Sequence, residues 1–290
     1  MELFSDILLT VDYDRTLTAP DSTIPQRNLD AIRWFMDNGG AFTVNTGRSL
    51  PMVQRFKDLV PTNAPLLLYN GAAAYDVKQE KLLFAHEINL DLWKTIREVI
   101  ALFPDLTVEV QALDKHYNFV PDPAWDALSA NNCAYGTAQP DQDLGPFLKF
   151  ALYKDICETT VEHLFRGTPE LIRRMDEVET LLNQLYAGYV TVTRAGPRMI
   201  DVQARGVNKG SSARELQQQL GRNILVCVGD AENDEAMLSG ADYAFVPADA
   251  FLKDRYENVC NCADGAVADV IYEKIPRILN LELDKRGESC

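Results

Sequence analysis

The hydrophobic pattern of the chain changes period along its length, and the changes divide it. Up to Asn70, short apolar runs without alternation (ILLTV from Ile7, AFTVN from Ala41, PLLLYN from Pro65) are separated by stretches with apolar residues at helical spacing (PQRNLDAIRWFMDNG from Pro25, LPMVQRFKDLV from Leu50). Continuous apolar strands between amphipathic helices predict a βαβαβ unit, with a buried parallel sheet and right-handed crossovers. From about residue 72 the rhythm becomes mixed. AAAYDVKQEKLLFAHEI reads as two strands around a polar turn, DLWKTIREVIALF as a helix, and LTVEVQA and HYNFV as strands. A loop rich in Asn, Pro, Gly and Asp follows over about 121–146, then a strand LKFALY, a helix TPELIRRMDEVETLLNQL and a strand YVTVTRA. After MIDVQA the first rhythm returns: helix KGSSARELQQQLG, strand NILVCVGD, a short helix, strand DYAFV and a last helix near AVADVIYEKI. The predicted fold is α/β, a doubly wound, Rossmann-like parallel-sheet core formed by 1–78 and 189–290, with an α+β module inserted at 79–188.

With 290 residues, 47% of them hydrophobic, the chain can bury one large core or two smaller ones. The formal net charge of −15 argues against a nucleic-acid partner, which needs Lys and Arg to neutralise phosphates. An acidic protein that binds an anion must concentrate positive charge locally, and a metal ion is one way to do so. No apolar run reaches the roughly 18 residues of a membrane span. The N-terminal MELFSD has neither a basic region nor a cleavage-like site, so a cytoplasmic protein without membrane association is expected. The six cysteines (Cys133, Cys157, Cys227, Cys260, Cys262, Cys290) and three histidines show no zinc-type spacing. Cys260 and Cys262 lie close in sequence, but free thiols in a reducing compartment are the expectation over a metal or redox pair.

Four features then fall at predicted carboxyl ends of core strands, or open the helices that follow, where open α/β sheets bind ligands. They are Asp12 and Asp14 in DYDRTLT, Thr46-Gly47-Arg48 in NTGRS, Lys209 in NKGSS, and Asp230, Asn233 and Asp234 in GDAENDEAML. Each alone has an ordinary explanation: a solvated strand end, a helix cap at Thr46 or Asp234, a surface lysine. Their joint occurrence on one sheet edge changes the reading. Hard cations such as Mg²⁺ take carboxylate oxygens, so Asp12 with Asp230 makes a two-carboxylate site completed by a substrate phosphate. Lys209, Thr46 and backbone N–H groups then hold the other phosphate oxygens. A carboxylate nucleophile, forming an acyl phosphate, needs no cysteine or histidine machinery.

These four segments, in this order, resemble the signature segments of the haloacid dehalogenase superfamily, specifically its Cof-type phosphatases with a large α/β cap between the second and third segments. The resemblance spans essentially the whole chain. It implies a Mg²⁺-dependent hydrolase that removes phosphate from small phosphorylated metabolites, sugar phosphates in the main, through an aspartyl phosphate. By position, Asp12 is the nucleophile and Asp14 the general acid/base, whose backbone carbonyl also faces Mg²⁺. Thr46, Gly47 and Lys209 hold the phosphoryl group, Asp230 ligates the metal, and Asn233 and Asp234 support metal and lysine. Asn70 and Gly71, in YNGAAAYD, border the phosphate site, and Arg48 reaches substrate. The cap's candidate polar lining is Asp114, His116, Tyr117, Asn118, Asn131, Asn132 and Lys154. A phosphomutase using the same intermediate and a non-catalytic phospho-aspartate signalling protein remain alternatives. Two departures stand out: Arg15 replaces the family's glycine and is expected to point out of the site, with contact to substrate as the alternative, and FVPADA (245–250) lacks the usual Gly-Asn-Ala.

Overall fold

The computed structural model describes residues 3–120, 133–154 and 167–286. The strand β1 (Ile7–Val11) is followed by a tight turn, then α1 (Gln26–Asp37), β2 (Ala41–Val44), a single-turn α2 (Leu50–Val53) and β3 (Leu66–Leu68). Helix α2 is shorter than its pattern suggests: Ser49 caps it, and Phe56 leaves the expected helix to stack on Tyr13, ring centroids 3.8 Å apart. A hairpin follows, β4 (Ala73–Asp76) and β5 (Lys81–Ala85), then α3 (Leu92–Leu102), β6 (Thr107–Gln111), β7 (His116–Asn118), β8 (Tyr135–Thr137) and β9 (Lys149–Tyr153). Next come α4 (Pro169–Leu185), β10 (Val190–Gly196), β11 (Met199–Ala204) and α5 (Lys209–Gln219). The chain closes with β12 (Ile224–Val228), α6 (Glu235–Ser239), β13 (Tyr243–Pro247), β14 (Glu257–Val259), α7 (Ala266–Asp269) and α8 (Ile275–Arg286). Among the described residues no helix is long and apolar enough to cross a membrane.

The core sheet is parallel, ordered β14-β13-β12-β1-β2, and an isolated parallel bridge from Asn45 to Leu67 continues it to β3. Every residue of β1 is buried, as its unbroken apolar run requires of a strand covered on both faces. Register sets the site. Val11 pairs with Val44 on one side and Val228 on the other, so the residues after β1, β2 and β12 emerge together at one sheet edge. The turn after β1 is wound by two wide hydrogen bonds, Leu17 N–H to the Asp12 carbonyl (3.2 Å) and Thr18 N–H to the Tyr13 carbonyl (3.0 Å). Buried Asn28 on α1 anchors it: its Nδ2 donates to the Leu17 carbonyl (3.0 Å) while its Oδ1 accepts from Ala268 N–H (2.9 Å).

The inserted module is a six-stranded sheet, β10-β11-β9-β6-β7-β8, with α3 and α4 packed in the same apolar cluster as one of its faces. Its boundary corrects the expectation. Residues 190–204, assigned above to the core, belong to this sheet, β11 pairing antiparallel with β9 and β10 with β11, whereas β5 pairs with β4 beside the core. Period-2 alternation gives the sheet two characters. Val108, Val110, Phe150, Leu152, Ile200 and Val202 form the apolar face, and Glu109, Gln111, His116, Lys149, Tyr153 and Asp201 project from the other.

That polar face meets the core loop after β2 through buried ionic groups. Lys149 Nζ donates to the Gly47 carbonyl (2.8 Å) and to Asp201 Oδ2 (2.7 Å), which also accepts from Asn70 Nδ2 (2.7 Å). His116 lies between Glu109 Oε1 (3.0 Å from Nδ1) and Ser49 Oγ (2.6 Å from Nε2). Burial opposes charge on this imidazole, but the adjoining Glu109 carboxylate outweighs it and pushes the pKa up to about 9. A folded-state pKa above the ordinary 6.5 means that this contribution is complete below pH 6.5 and is lost as pH rises through about 9. Urea unfolding should therefore show stability falling across that window by on the order of 1 to 3 kcal/mol. His116→Gln, less stable at the acid end, should flatten the slope; a wild-type midpoint constant across the window would contradict the assignment.

Candidate active site

The sheet edge carries the chemistry. Asp12, the first residue past β1, is buried, and its N–H donates to the Val228 carbonyl (2.9 Å), extending the ladder by one residue before the turn. Lys209 opens α5, a helix capped by Asn208, whose Oδ1 accepts from the N–H groups of Gly210 and Ser211 (2.9 Å each). Asn45 fixes the entry to that helix by donating from Nδ2 to the Lys209 carbonyl (2.8 Å). The fully buried Lys209 ammonium lies 2.6 Å from Asp12 Oδ1 and 2.6 Å from Asp234 Oδ1. Asp234 Oδ2 in turn accepts from Asp230 N–H (2.9 Å) and Ala231 N–H (3.2 Å). Gly229 leaves room for this: a Cβ there would stand 2.6 Å from that of Asp234.

Carboxylate oxygens of Asp12, Asp230 and Asp234 all lie within 4.8 Å of one another. Burial raises the Asp12 carboxyl to about 7, with Lys209 opposing the shift and the Asp234 and Asp14 charges adding to it. Asp230 is raised well above the carboxylate range by burial and by Asp234 and Asp12. Lys209 is held charged because the two carboxylates outweigh the cost of burying it. Both Asp234 oxygens are engaged, whereas Asp12 has an oxygen beyond its lysine contact and the Asp230 carboxylate accepts no hydrogen bond among the described residues. Two buried, under-neutralised hard oxygen donors fit a small divalent cation, and no thiol or imidazole competes in the cluster.

Thr46 follows β2. Its N–H donates to the Leu67 carbonyl (2.9 Å), its carbonyl accepts from Asn70 N–H (3.1 Å), and its Oγ1 accepts from Arg48 N–H (3.2 Å). Gly47 is tightly placed, since a Cβ would meet Asn70 Oδ1 at 2.8 Å. Arg48 grips Asp14 with two parallel bonds, Nε to Oδ2 (2.8 Å) and Nη2 to Oδ1 (2.7 Å), and its guanidinium lies over the rings of Tyr13 and Phe56 (5.1 and 5.7 Å). A cavity of about 900 Å³ opens from these groups to the polar face of the inserted sheet.

Asp12, Asp14, Thr46, Gly47, Arg48, Asp230 and Asn233 line this cavity. Asn70 and Gly71 stand behind the loop instead of on the wall: Asn70 ties Thr46 to Asp201, and Gly71, at a φ of +97°, packs on the Asn208 carbonyl. Of the proposed cap lining only His116 reaches the cavity among the described residues. Tyr117 donates to Asp114 (2.9 Å), Asn118 is buried, and Lys154 pairs with Asp105 (3.1 Å). Asn131 and Asn132 lie outside the described residues. Gln111, Lys149, Tyr153 and Asp201 line the cavity in their place, and their signal was polar residues alternating with apolar ones in VEVQ, KFALY and MIDVQ. Arg15 does not point out of the site. It lines the cavity, with its guanidinium over the ring of Phe251 (5.7 Å), just past the atypical FVPADA segment. Cys260 and Cys262 are free thiols, both pushed up to about 12 by burial and by their carboxylate neighbours.

Several known proteins are similar to the chain over nearly their whole length. The chain is 25% identical over 263 residues to a phosphoglycolate phosphatase of Methanobrevibacter smithii, covering 89% of this chain and 94% of that one. It is 23% identical over 268 residues to a 5-amino-6-(5-phospho-D-ribitylamino)uracil phosphatase of Bacillus subtilis, covering 89% and 92%. A haloacid dehalogenase-like hydrolase from Bacteroides thetaiotaomicron has the same fold at a TM-score of 0.75 and 18% identity, over 92% of this chain and 98% of that one. The profile of one family matches residues 9–271, and on that match the chain belongs to the haloacid dehalogenase-like hydrolases.

Proposed function

We propose that the protein is a Mg²⁺-dependent phosphatase that transfers the phosphoryl group of a small phosphorylated metabolite to Asp12 and then to water. The observation that carries this reading is the pairing of a fully buried Lys209 with Asp12 and Asp234, behind a cavity large enough for a metabolite whose wall carries Asp12 and an Asp230 carboxylate that accepts no hydrogen bond among the described residues. Lys209 occupies one Asp12 oxygen and leaves the other to attack phosphorus. The same ammonium offsets repulsion between that carboxylate and the arriving phosphate, and Asp234 fixes its direction. Thr46 and the backbone of the loop through Gly47 and Arg48 support the phosphoryl oxygens.

Mg²⁺ held by Asp12, Asp230 and the Asp14 backbone carbonyl would supply positive charge at the phosphate, with Asn233 supporting its shell. Asp14 stands two residues from the nucleophile, the plane of its carboxylate set by the Arg48 fork. Released from that fork, it protonates the leaving oxygen and then takes a proton from the attacking water. The carboxyl, amide and hydroxyl groups of the inserted sheet's polar face suit a polyhydroxylated leaving group, and sugar phosphates are the substrate class proposed. The named relatives act, by their names, on phosphate esters of small polar molecules.

Two outcomes test this reading. With Asp14→Asn, p-nitrophenyl phosphate should give a burst of at most one p-nitrophenol per active site and then a steady rate about 10² to 10⁴ below wild type, because a good leaving group needs little protonation while hydrolysis of the acyl phosphate always needs an activated water. Wild-type turnover without a burst would remove Asp14 from that role. Exhaustive dialysis against EDTA should abolish phosphate release, and Mg²⁺ should restore it; Asp230→Ala should need far more Mg²⁺ for half-maximal rate. Full activity in excess chelator would contradict the metal assignment.

A further inference from the structure

Arg15, where the sequence departs from its family's pattern, meets Phe251, the residue after the atypical FVPADA segment, at the cavity. Arg15 sits in the turn after β1 at a φ of 59°, a left-handed conformation that a glycine adopts freely and a side chain disfavours. The wide hydrogen bonds of that turn hold the backbone there, and Arg15 N–H itself donates to Thr18 Oγ1 (3.3 Å). A residue kept in this conformation against its steric preference is a reason to look for use of its side chain. That side chain lies on the cavity wall over Phe251, which follows FVPADA and is 63% exposed.

Charge accounting separates Arg15 from its neighbours. Among the described residues, the lysine and arginine side chains that line the cavity are Arg15, Arg48, Lys149 and Arg194, and the lining His116 is held against Glu109. Arg48 is paired with Asp14, Lys149 with Asp201, and Arg194 with Asp176 and Glu179. Arg15 has no carboxylate within ion-pair distance among the described residues, although it stands close enough to Asp230 to favour its ionised form. A guanidinium resting on an aromatic face keeps its in-plane N–H fork free, and that fork matches a carboxylate or phosphate. Its place is beside the exposed Phe251, whereas the transferred phosphate belongs at Asp12, which lines the cavity with the fully buried Lys209 behind it.

The geometry points to a specificity role: Arg15, backed by Phe251, binds a second anionic group on the substrate, so the preferred substrates are phosphate monoesters that also carry a carboxylate or another phosphate. This rests on the phosphatase reading above and narrows its substrate class. Two matched pairs test it, 3-phosphoglycerate against glycerol 3-phosphate for a carboxylate, and fructose 1,6-bisphosphate against fructose 6-phosphate for a phosphate. Wild-type enzyme should favour the more anionic member of at least one pair by about tenfold in kcat/KM, and Arg15→Gly and Arg15→Gln should each remove most of that preference. Glycine suits the backbone at this position, and glutamine keeps a polar side chain, so loss in both variants reads the guanidinium and not the fold. No preference in either pair, or a preference that survives both substitutions, overturns the proposal. So does an equal loss on all four esters and on p-nitrophenyl phosphate, which would place Arg15 on the transferred phosphoryl group. Failure of wild-type enzyme to release phosphate from any of the five esters overturns the phosphatase reading, and this proposal with it.

Discussion

A single buried ammonium organises this protein. Lys209 is wholly removed from solvent, and such a charge is tolerated only when anions and hydrogen bonds replace its water. Asp12 and Asp234 supply them, one from the end of β1 and the other from the turn before α6, so the lysine joins two strand ends and a helix start. Each partner has its own constraint. Gly210 lets α5 approach the Ala236 carbonyl, Gly229 makes room for Asp234, and Asn45 holds the Lys209 backbone. Removing either carboxylate would leave an under-compensated buried charge. The same arrangement that stabilises the sheet edge therefore presents a carboxylate oxygen to the cavity.

The inserted sheet depends on this edge for its orientation. Its apolar face is satisfied within its own layer, by α3 and α4. Its polar face must find partners elsewhere, and it finds them on the loop that carries Thr46, Gly47 and Arg48. Buried pairs such as Lys149 with Asp201 add little net stability, since desolvation offsets attraction, but they fix which face docks and in what register. Docking and loop geometry are thus coupled: the Gly47 carbonyl and the Ser49 hydroxyl, on either side of the residue that grips Asp14, are both held by the inserted sheet.

Much of this was legible in the sequence because the signals were local. Unbroken apolar runs ending in Asp12, Thr46 and Asp230 mark buried parallel strands and the edge where their ends converge, and Asn208 before Lys209 is a helix cap by residue type alone. What was not legible depends on long-range pairing. YVTVTRA reads as a strand, but only the pairing of β10 with β11, and of β11 with β9, assigns residues 190–204 to the inserted sheet, which moves its boundary past 188. Strand β14 is three residues long and mostly exposed, too short to register as a period. The Asp14 to Arg48 fork and the Arg15 to Phe251 contact join residues far apart in the chain, and nothing in either segment names the other.

The central claim is that Asp12 accepts the phosphoryl group while Lys209 and Asp234 hold it in place. The most direct measurement is to quench the Asp14→Asn enzyme in acid during turnover, reduce the acyl phosphate with borohydride, and map the modified residue by peptide mass spectrometry. The account predicts homoserine at position 12, dependent on substrate and Mg²⁺ and absent from an Asp12→Asn control. Reduction at another carboxylate, or an unmodified Asp12 in enzyme that has demonstrably released its leaving group, would contradict it.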